Sequence, residues 1–460
     1  MQKLTSANVK KTIAYLKRNG LSGTVAAVWE RLEKQEEYVY EAPSDSQLRE
    51  QREWRPKGKA PLFTVVVPAY RTGPGYLCAM MDSVLMQSYE NWELLIADAS
   101  ENRTVCDAYE DFVGGLSRVS RPDRILRIEL SSNKGISENT NEALEEASGD
   151  YVVFLDHDDL LAPDALYEAA KRITESPRPL RMLYSDEDKC DERGLGFYEP
   201  NIKPDFDPEL LLSNNYICHM LVMETELARS LRLRKEYDGA QDYDLILRAG
   251  ETLSEEEIAH LPKVLYHWRC HQGSTAENPE SKAYAYEAGR RALEDALDRR
   301  KLTALATVRE TPHVGFYRIE YEADVFSIRR DLGVVGGRVL GHKYGFRVVS
   351  GGAVDAEGRI LYEGLPAGHS GYLHRAVLPQ RPAGLDLRCI RVAPKYRELF
   401  REVTGVPYTE DPETGRFAWK HTALASMRGF PRLKLGIRLC ERIREEGGGV
   451  LYEPQWEERI

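Results

Sequence analysis

Tyr151-Val-Val-Phe-Leu-Asp156-His-Asp158-Asp159-Leu-Leu161 is the stretch that decides how this chain folds. An unbroken apolar run of β-formers stops at three acids, and Ala162-Pro163-Asp164 and a helix-like pattern follow. Apolar runs bounded by turn signals read as buried strands of a parallel sheet. In open α/β sheets the ligand lies outside the carboxyl ends of the strands, which is where the three acids fall. Carboxylates crowd there only at a cost, unless a cation or a phosphate-bearing ligand offsets their repulsion. With one residue between them, Asp156 and Asp158 both reach the same side of the strand end. An acidic turn capping the next helix would give the same string, so the rest of the chain has to decide.

Working outward, Phe63-Thr-Val-Val-Val-Pro68-Ala-Tyr70 reads as a first strand ended by Pro68, because proline cannot continue a central ladder. Trp92-Glu-Leu-Leu-Ile-Ala-Asp98 is a second buried strand that again stops at a carboxylate. Arg124 to Leu130 is a third, leading through Asn133-Lys134-Gly135 into a helix over Thr140–Ala147. Strands alternating with helices at these spacings imply βαβ units and a mainly parallel sheet with helices on both faces. Pro68–Tyr70, Asp98, Asn133–Gly135 and Asp156–Asp159 then share one edge, which makes a nucleotide cleft a better reading than four unrelated caps. Neither G-x-G-x-x-G nor G-x-x-x-x-G-K-[ST] follows the first strand, so dinucleotide and P-loop readings fail. Phosphate charge would instead have to be met by a metal at the D-x-D turn.

Composition narrows the class further. A chain of 460 residues is too long for one ordinary core. Its formal net charge of −11 lacks the basic footprint of a nucleic-acid binder, so no nucleic-acid partner is expected. The seven cysteines are scattered without C-x-x-C spacing, the usage of a reducing cytosol. No apolar stretch is long enough to span a bilayer, and the N-terminus has no signal-peptide core.

Three domains are expected: a helical and linker segment over 1–60, an α/β domain over 61–302, and a smaller α/β domain over 303–460. In the first, Lys3, Lys10, Lys11, Lys17 and Arg18 accompany Ile13, Leu16, Leu21, Val25, Val28 and Leu32 at helical intervals. Such a basic amphipathic helix can pack on its neighbour or lie on an anionic membrane surface. The expected location is therefore the cytoplasm, at the inner face of the membrane if the helix meets lipid.

Taken together, Val65-Val-Val-Pro68-Ala-Tyr70, Trp92 to Asp98, Asn133-Lys-Gly135 and Asp156-His-Asp158-Asp159 resemble the signatures of family 2 glycosyltransferases of the GT-A fold. Farther along, Tyr184-Ser-Asp186-Glu-Asp188-Lys189, Lys203-Pro-Asp205, Asn215-Tyr216, Gly239-Ala-Gln241-Asp242-Tyr243-Asp244 and Leu261 to Arg269 fit a bacterial subgroup that builds cell-surface polysaccharides, of rhamnosyl or galactosyl type. The resemblance implies a GT-A nucleotide-diphospho-sugar transferase fold and an inverting, metal-dependent transfer of a sugar from a UDP- or dTDP-sugar to a lipid-linked or growing glycan. It implies that Pro68, Ala69, Tyr70, Asp98, Asn133, Lys134, Gly135 and Asp156 hold the donor nucleotide. Asp98 would meet the base, although a single acid followed by Ala99 stands where the family doubles it. The metal, Mg²⁺ or Mn²⁺, would be held by Asp156, Asp158 and His267. Asp242 is implied as the catalytic base, with Gln241 replacing the first acid of the family's pair; an N-cap of the following helix is its structural alternative. Asp186, Asp188, Arg269 and His271 are implied on the acceptor or phosphate side.

Beyond residue 302, Gly333 to Leu340, Gly371 to Arg375 and Leu435 to Glu446 look like the later half of a second such domain, without a nucleobase strand or D-x-D. A degenerate remnant is expected there. The alternative to an enzyme is a catalytically silent pseudo-transferase that binds glycan or nucleotide sugar; both D-x-D acids and Asp242 argue against it. A pyrophosphorylase would need a Gly-rich loop that Pro68 to Gly73 does not supply, and a glycosidase would need paired carboxylates flanking a glycosidic bond.

Overall fold

The computed structural model describes residues 38–116, 122–271, 283–342, 346–427 and 429–460, together with 16, 20, 24 and 28–30. The N-terminal amphipathic helix lies mostly outside these described residues. Two compact units emerge, one formed by Glu37–Phe206 with Asn215–Arg299, the other by Met1–Glu36, Asp207–Asn214 and Arg300–Ile460. Particular contacts explain these boundaries. In the first unit Trp54 packs edge-on against Tyr167 at 5.3 Å, and the Tyr38 hydroxyl donates to Asp188 at 2.7 Å. In the second, Asp207 accepts from the Arg381 backbone at 2.8 Å, and Glu209 pairs with Arg329 at 2.5 Å.

The first unit runs in chain order through α1 (Asp45–Glu53), β1 (Phe63–Ala69), α2 (Pro74–Leu85), β2 (Trp92–Asp98), α3 (Thr104–Gly115), β3 (Ile125–Glu129), α4 (Ile136–Glu146) and β4 (Tyr151–Phe154). It continues through β5 (Leu160–Leu161), α5 (Ala165–Glu175), β6 (Met182–Cys190), β7 (Phe197–Asn201), β8 (Leu221–Glu224), α6 (Thr225–Leu231), α7 (Gln241–Thr252), β9 (Ile258–Arg269) and α8 (Ala283–Arg299). Among the described residues its nine strands form one sheet in the order β3-β2-β1-β4-β8-β6-β9-β5, with β7 on β6.

From β3 to β4 every pairing is parallel, as is β6 with β9; β8 runs antiparallel to both β4 and β6. Val65, Val66 and Val67 of β1 are fully buried, which accounts for the unbroken apolar run. Pro68 does not end β1, which continues to Ala69. Pairing with β4 stops at Val66, so Pro68 has a ladder neighbour on the β2 side alone. Leu77, Met80, Met81 and Val84 of α2 and Leu166, Ala169 and Ala170 of α5 join Val65 and Val67 in the core.

The second unit has a hairpin, β10 (Ala306–Glu310) with β11 (Tyr317–Tyr321), and a four-stranded sheet. There β12 (Leu332–Gly341) pairs antiparallel with β13 (Arg347–Ser350) and β14 (Ile390–Val392) and parallel with β15 (Gly449–Arg459). Two helices, α9 (Arg397–Thr404) and α10 (Phe430–Glu445), contribute Phe400, Leu439 and Ile443 to its core beside Phe417 and Tyr452.

Candidate active site

The turn between β4 and β5 carries the acids, and β9 fixes them. Asp159 is 1% exposed, takes a 2.5 Å hydrogen bond from the Tyr266 hydroxyl and a 2.8 Å bond from the Arg269 backbone N–H. The same Tyr266 hydroxyl accepts from the Asp156 backbone N–H at 3.3 Å, tying both ends of the turn to one phenol. His219 stacks on the Tyr266 ring at 4.5 Å, 13° from parallel. Ligand atoms of Asp156, Asp159 and His219 all lie within 4.8 Å of one another. Burial pushes the Asp156 carboxyl up, with Asp158 and Asp242 adding repulsion, and holds that of Asp159 well above its usual range. Carboxylates desolvated in one cluster this way favour either protonation or a cation. Two oxygen donors and an imidazole suit Mg²⁺ or Mn²⁺, so these residues fit the expected ion.

Around the cluster stand a further carboxylate and a guanidinium. Asp242 occupies the first turn of α7, yet it is not that helix's cap: the N-cap is Ala240, which makes no side-chain bond. Its Oδ2 instead accepts from Asn215 Nδ2 at 2.7 Å and Cys218 Sγ at 3.5 Å. Arg269, 2% exposed, lies 5.4 Å from the Tyr76 ring, and its buried Nε and Nη2 have no hydrogen-bond partner among the described residues. An unmet buried donor costs about 1–3 kcal/mol, so this guanidinium is poised for an anion. His271 Nε2 meets Asp158 Oδ2 at 2.7 Å and its ring stacks on Tyr76 at 4.6 Å.

Several expected residues are engaged elsewhere. His267 does not join Asp156 and Asp158: its Nδ1 meets Asp188 at 2.6 Å, and Tyr40 and Phe197 flank its ring at 4.5 and 4.4 Å. Side chains alternate along a strand, so Tyr266 faces the acid cluster and His267 the opposite side. Asp158, expected as the second D-x-D ligand, is held by His271, and the clustered acid is Asp159. Asp188 is buried between His267 and the Tyr38 hydroxyl; Asp186 accepts from the Lys203 backbone and meets His260, both at 2.8 Å. These are structural bonds that leave neither acid open to an acceptor.

At the base end, Asp98 is buried and both oxygens are bonded, one to Arg127 at 2.8 Å and one to the Ser100 N–H at 3.0 Å. A nucleobase there would compete with Arg127. Pro68 and Ala69 end β1, and the Tyr70 hydroxyl reaches Glu101 at 3.1 Å. Asn133 accepts from Gly135 N–H at 3.0 Å and Asn139 at 2.9 Å, while Lys134 pairs with Glu142. Gly135 caps α4 at φ 101°, where a Cβ would meet Asp238 Oδ2 at 2.3 Å. His219, Tyr266 and Tyr76 were not singled out from sequence, because nothing local marks a lone histidine after Cys218 or the parity of β9. A cleft of about 510 Å³ opens between α1 and α5, lined by Trp54, Tyr167 and Lys171 among others, and none of these candidate residues borders it.

Comparison with known proteins adds the following. Residues 64–228 match the model of glycosyl transferase family 2. The uncharacterized protein y4gI of Sinorhizobium fredii is 41% identical over 242 residues, 52% of this chain and 26% of that one. The O-antigen biosynthesis protein RfbC of Myxococcus xanthus is 35% identical over 265 residues, 57% of this chain and 20% of its own. This chain thus spans about a quarter or less of those relatives. The crystal structure of S. aureus TarS 1-349 in complex with UDP aligns at 22% identity and TM-score 0.38, over 51% of this chain and 65% of that one.

Proposed function

We propose that this chain, whose residues 64–228 match the model of glycosyl transferase family 2, moves a sugar from a nucleoside-diphosphate donor to a hydroxyl of a lipid-linked or growing glycan. Cell-surface polysaccharide synthesis is the process that this reading and the O-antigen name of one relative suggest. One observation carries it: the Asp156, Asp159 and His219 cluster stands with the unpartnered guanidinium edge of Arg269 and with Asp242, whose carboxylate is bonded by Asn215 and by Cys218, the residue next to His219.

Each group has a task that its surroundings suit. Asp242 Oδ2 is held by Asn215, while Oδ1 has no partner among the described residues, so a lone pair is available for the acceptor's hydroxyl proton. As that proton passes to Asp242, the acceptor oxygen bonds to the anomeric carbon and the bond from that carbon to the diphosphate breaks, inverting configuration. Arg269 offers Nε and Nη2 to a diphosphate oxygen in the geometry that guanidinium favours. Asp156, Asp159 and His219 would hold Mg²⁺ or Mn²⁺, which supplies Lewis-acid neutralisation of the departing diphosphate. Donor specificity for UDP- or dTDP-sugars, a cytoplasmic location and membrane contact through the N-terminal helix are part of the same proposal.

The test is nucleoside diphosphate release from a panel of donors with Mn²⁺ or Mg²⁺ and an oligosaccharide acceptor. Asp242→Asn is expected to lower kcat by about 100-fold or more, the usual worth of a positioned base. Asp156→Asn should abolish the metal dependence. Turnover equal to the parent in both variants would remove the mechanism.

A further inference from the structure

Lys203 touches none of the side chains assigned to the chemistry and reaches His219 only through its main chain. Its ammonium is fully buried, donates to the Ile217 carbonyl at 2.6 Å and to the His219 carbonyl, and stands 3.4 Å from Glu187 Oε2. That Glu187 oxygen has no hydrogen bond of its own, while Oε1 accepts from Asn201 at 3.0 Å. A buried ammonium is costly unless fully surrounded by acceptors, and here two of the three are main-chain carbonyls of one short segment.

That segment is where the site's parts meet. Asn215 and Cys218 contact the Asp242 carboxylate, and His219 belongs to the Asp156–Asp159 cluster. Between the two clamped carbonyls, Cys218 sits at φ 37°, in the left-handed region that non-glycine residues rarely adopt. A backbone held there needs surrounding bonds to keep it. The Asn215 carbonyl-side oxygen adds one, accepting from the Cys218 N–H at 3.2 Å; the Lys203 ammonium supplies two more.

Resting on the transferase reading above, we infer that Lys203 is a positioning residue: through the carbonyls of Ile217 and His219 it holds the 215–219 segment in the one conformation that presents Asn215 to the base and His219 to the cation cluster. One side chain thereby couples the orientation of Asp242 to the geometry of the cation site. Glu187 balances the charge of this clamp without taking part in it.

The experiment uses Lys203→Met, which keeps the length of the stem and removes the charge, alone and with Glu187→Gln, which removes the carboxylate left unbalanced. Melting temperature, Mn²⁺ binding to the protein without donor, hydrogen exchange of a peptide spanning 215–220, and kcat and KM for the donor are measured. The double variant should melt close to the parent, exchange faster at 215–220, bind Mn²⁺ about 10-fold more weakly and lose about 10–100-fold in kcat with donor KM little changed, the usual scale for removing a group that orients ligands. If the double variant recovers parental Mn²⁺ affinity and kcat, Lys203 only balances charge and the inference is overturned. Full activity in Asp242→Asn would instead overturn the transferase mechanism, while the exchange and Mn²⁺ measurements would still judge Lys203.

Discussion

At the scale of single residues, the site is a set of charges whose partners decide their use. Arg269 differs from Arg248 and Arg234, which both pair with Asp244, in keeping two buried donors unmet among the described residues. Arg269→Lys retains the charge and loses the planar fork. The expected outcome is a donor KM raised about 10-fold, since one charge-assisted hydrogen bond is worth about 1.5–3 kcal/mol, with the melting temperature of the ligand-free protein near that of the parent. An unchanged KM would remove Arg269 from the donor's diphosphate. The acidic turn Asp156 to Asp159 stands out in the sequence because it ends an apolar run, although Asp159 rather than Asp158 joins the cluster. His267 was misread because adjacent residues of one strand face opposite ways: Tyr266 serves the cluster, and His267 packs with Asp188, its register partner on β6. His219 could not be read, since its role depends on a backbone turn that no local pattern announces.

At the scale of elements, the half of the sheet from β3 to β4 follows from consecutive strand and helix patterns, and those four strands were readable within a residue or two. The other half was not, because β8 and β9 pair with strands far away in sequence and partly antiparallel. Helix α4 shows the same limit at one terminus. It begins at Ile136, four residues before the expected start, because Asp238 accepts from the Ser137 N–H at 3.2 Å and caps the helix from a distance of 101 residues in sequence. Gly135 makes room for that carboxylate. Gly135→Ala should therefore destabilise the protein by about 1–3 kcal/mol, the cost of holding a side chain in a glycine-only backbone region, read as a lower denaturation midpoint. A midpoint equal to the parent's would mean that α4 can start elsewhere without penalty.

At the scale of the whole molecule, two cores of different construction share one chain, and the second carries its own titration signature. His313 stacks on His374 at 3.6 Å, the Phe316 ring stands edge-on to His374, and Ser370 bonds His374 Nδ1 at 2.8 Å. Burial lowers the His313 pKa, against a smaller opposing pull from Glu30. An unfolded histidine takes up its proton near pH ~6.5, so below that value the unfolded chain binds more protons than the folded one. Stability is thus lost as pH falls from about 6.5 through the folded value and is unaffected well above it. Parent and His313→Gln should differ in how far the melting temperature drops between about pH 8 and pH 5, the parent dropping more; parallel curves would assign the acid sensitivity to other groups.

The position of β9 has a consequence for how the protein comes to life. Asp159, Tyr266 and Arg269 meet only when the last strand of the large sheet inserts beside β6. Strand pairings this distant form slowly during folding. A nascent chain on the ribosome would have β1 to β4 available to collapse long before the catalytic constellation exists. The Asp159 carboxylate therefore gains its Tyr266 and Arg269 partners only after synthesis has passed residue 269.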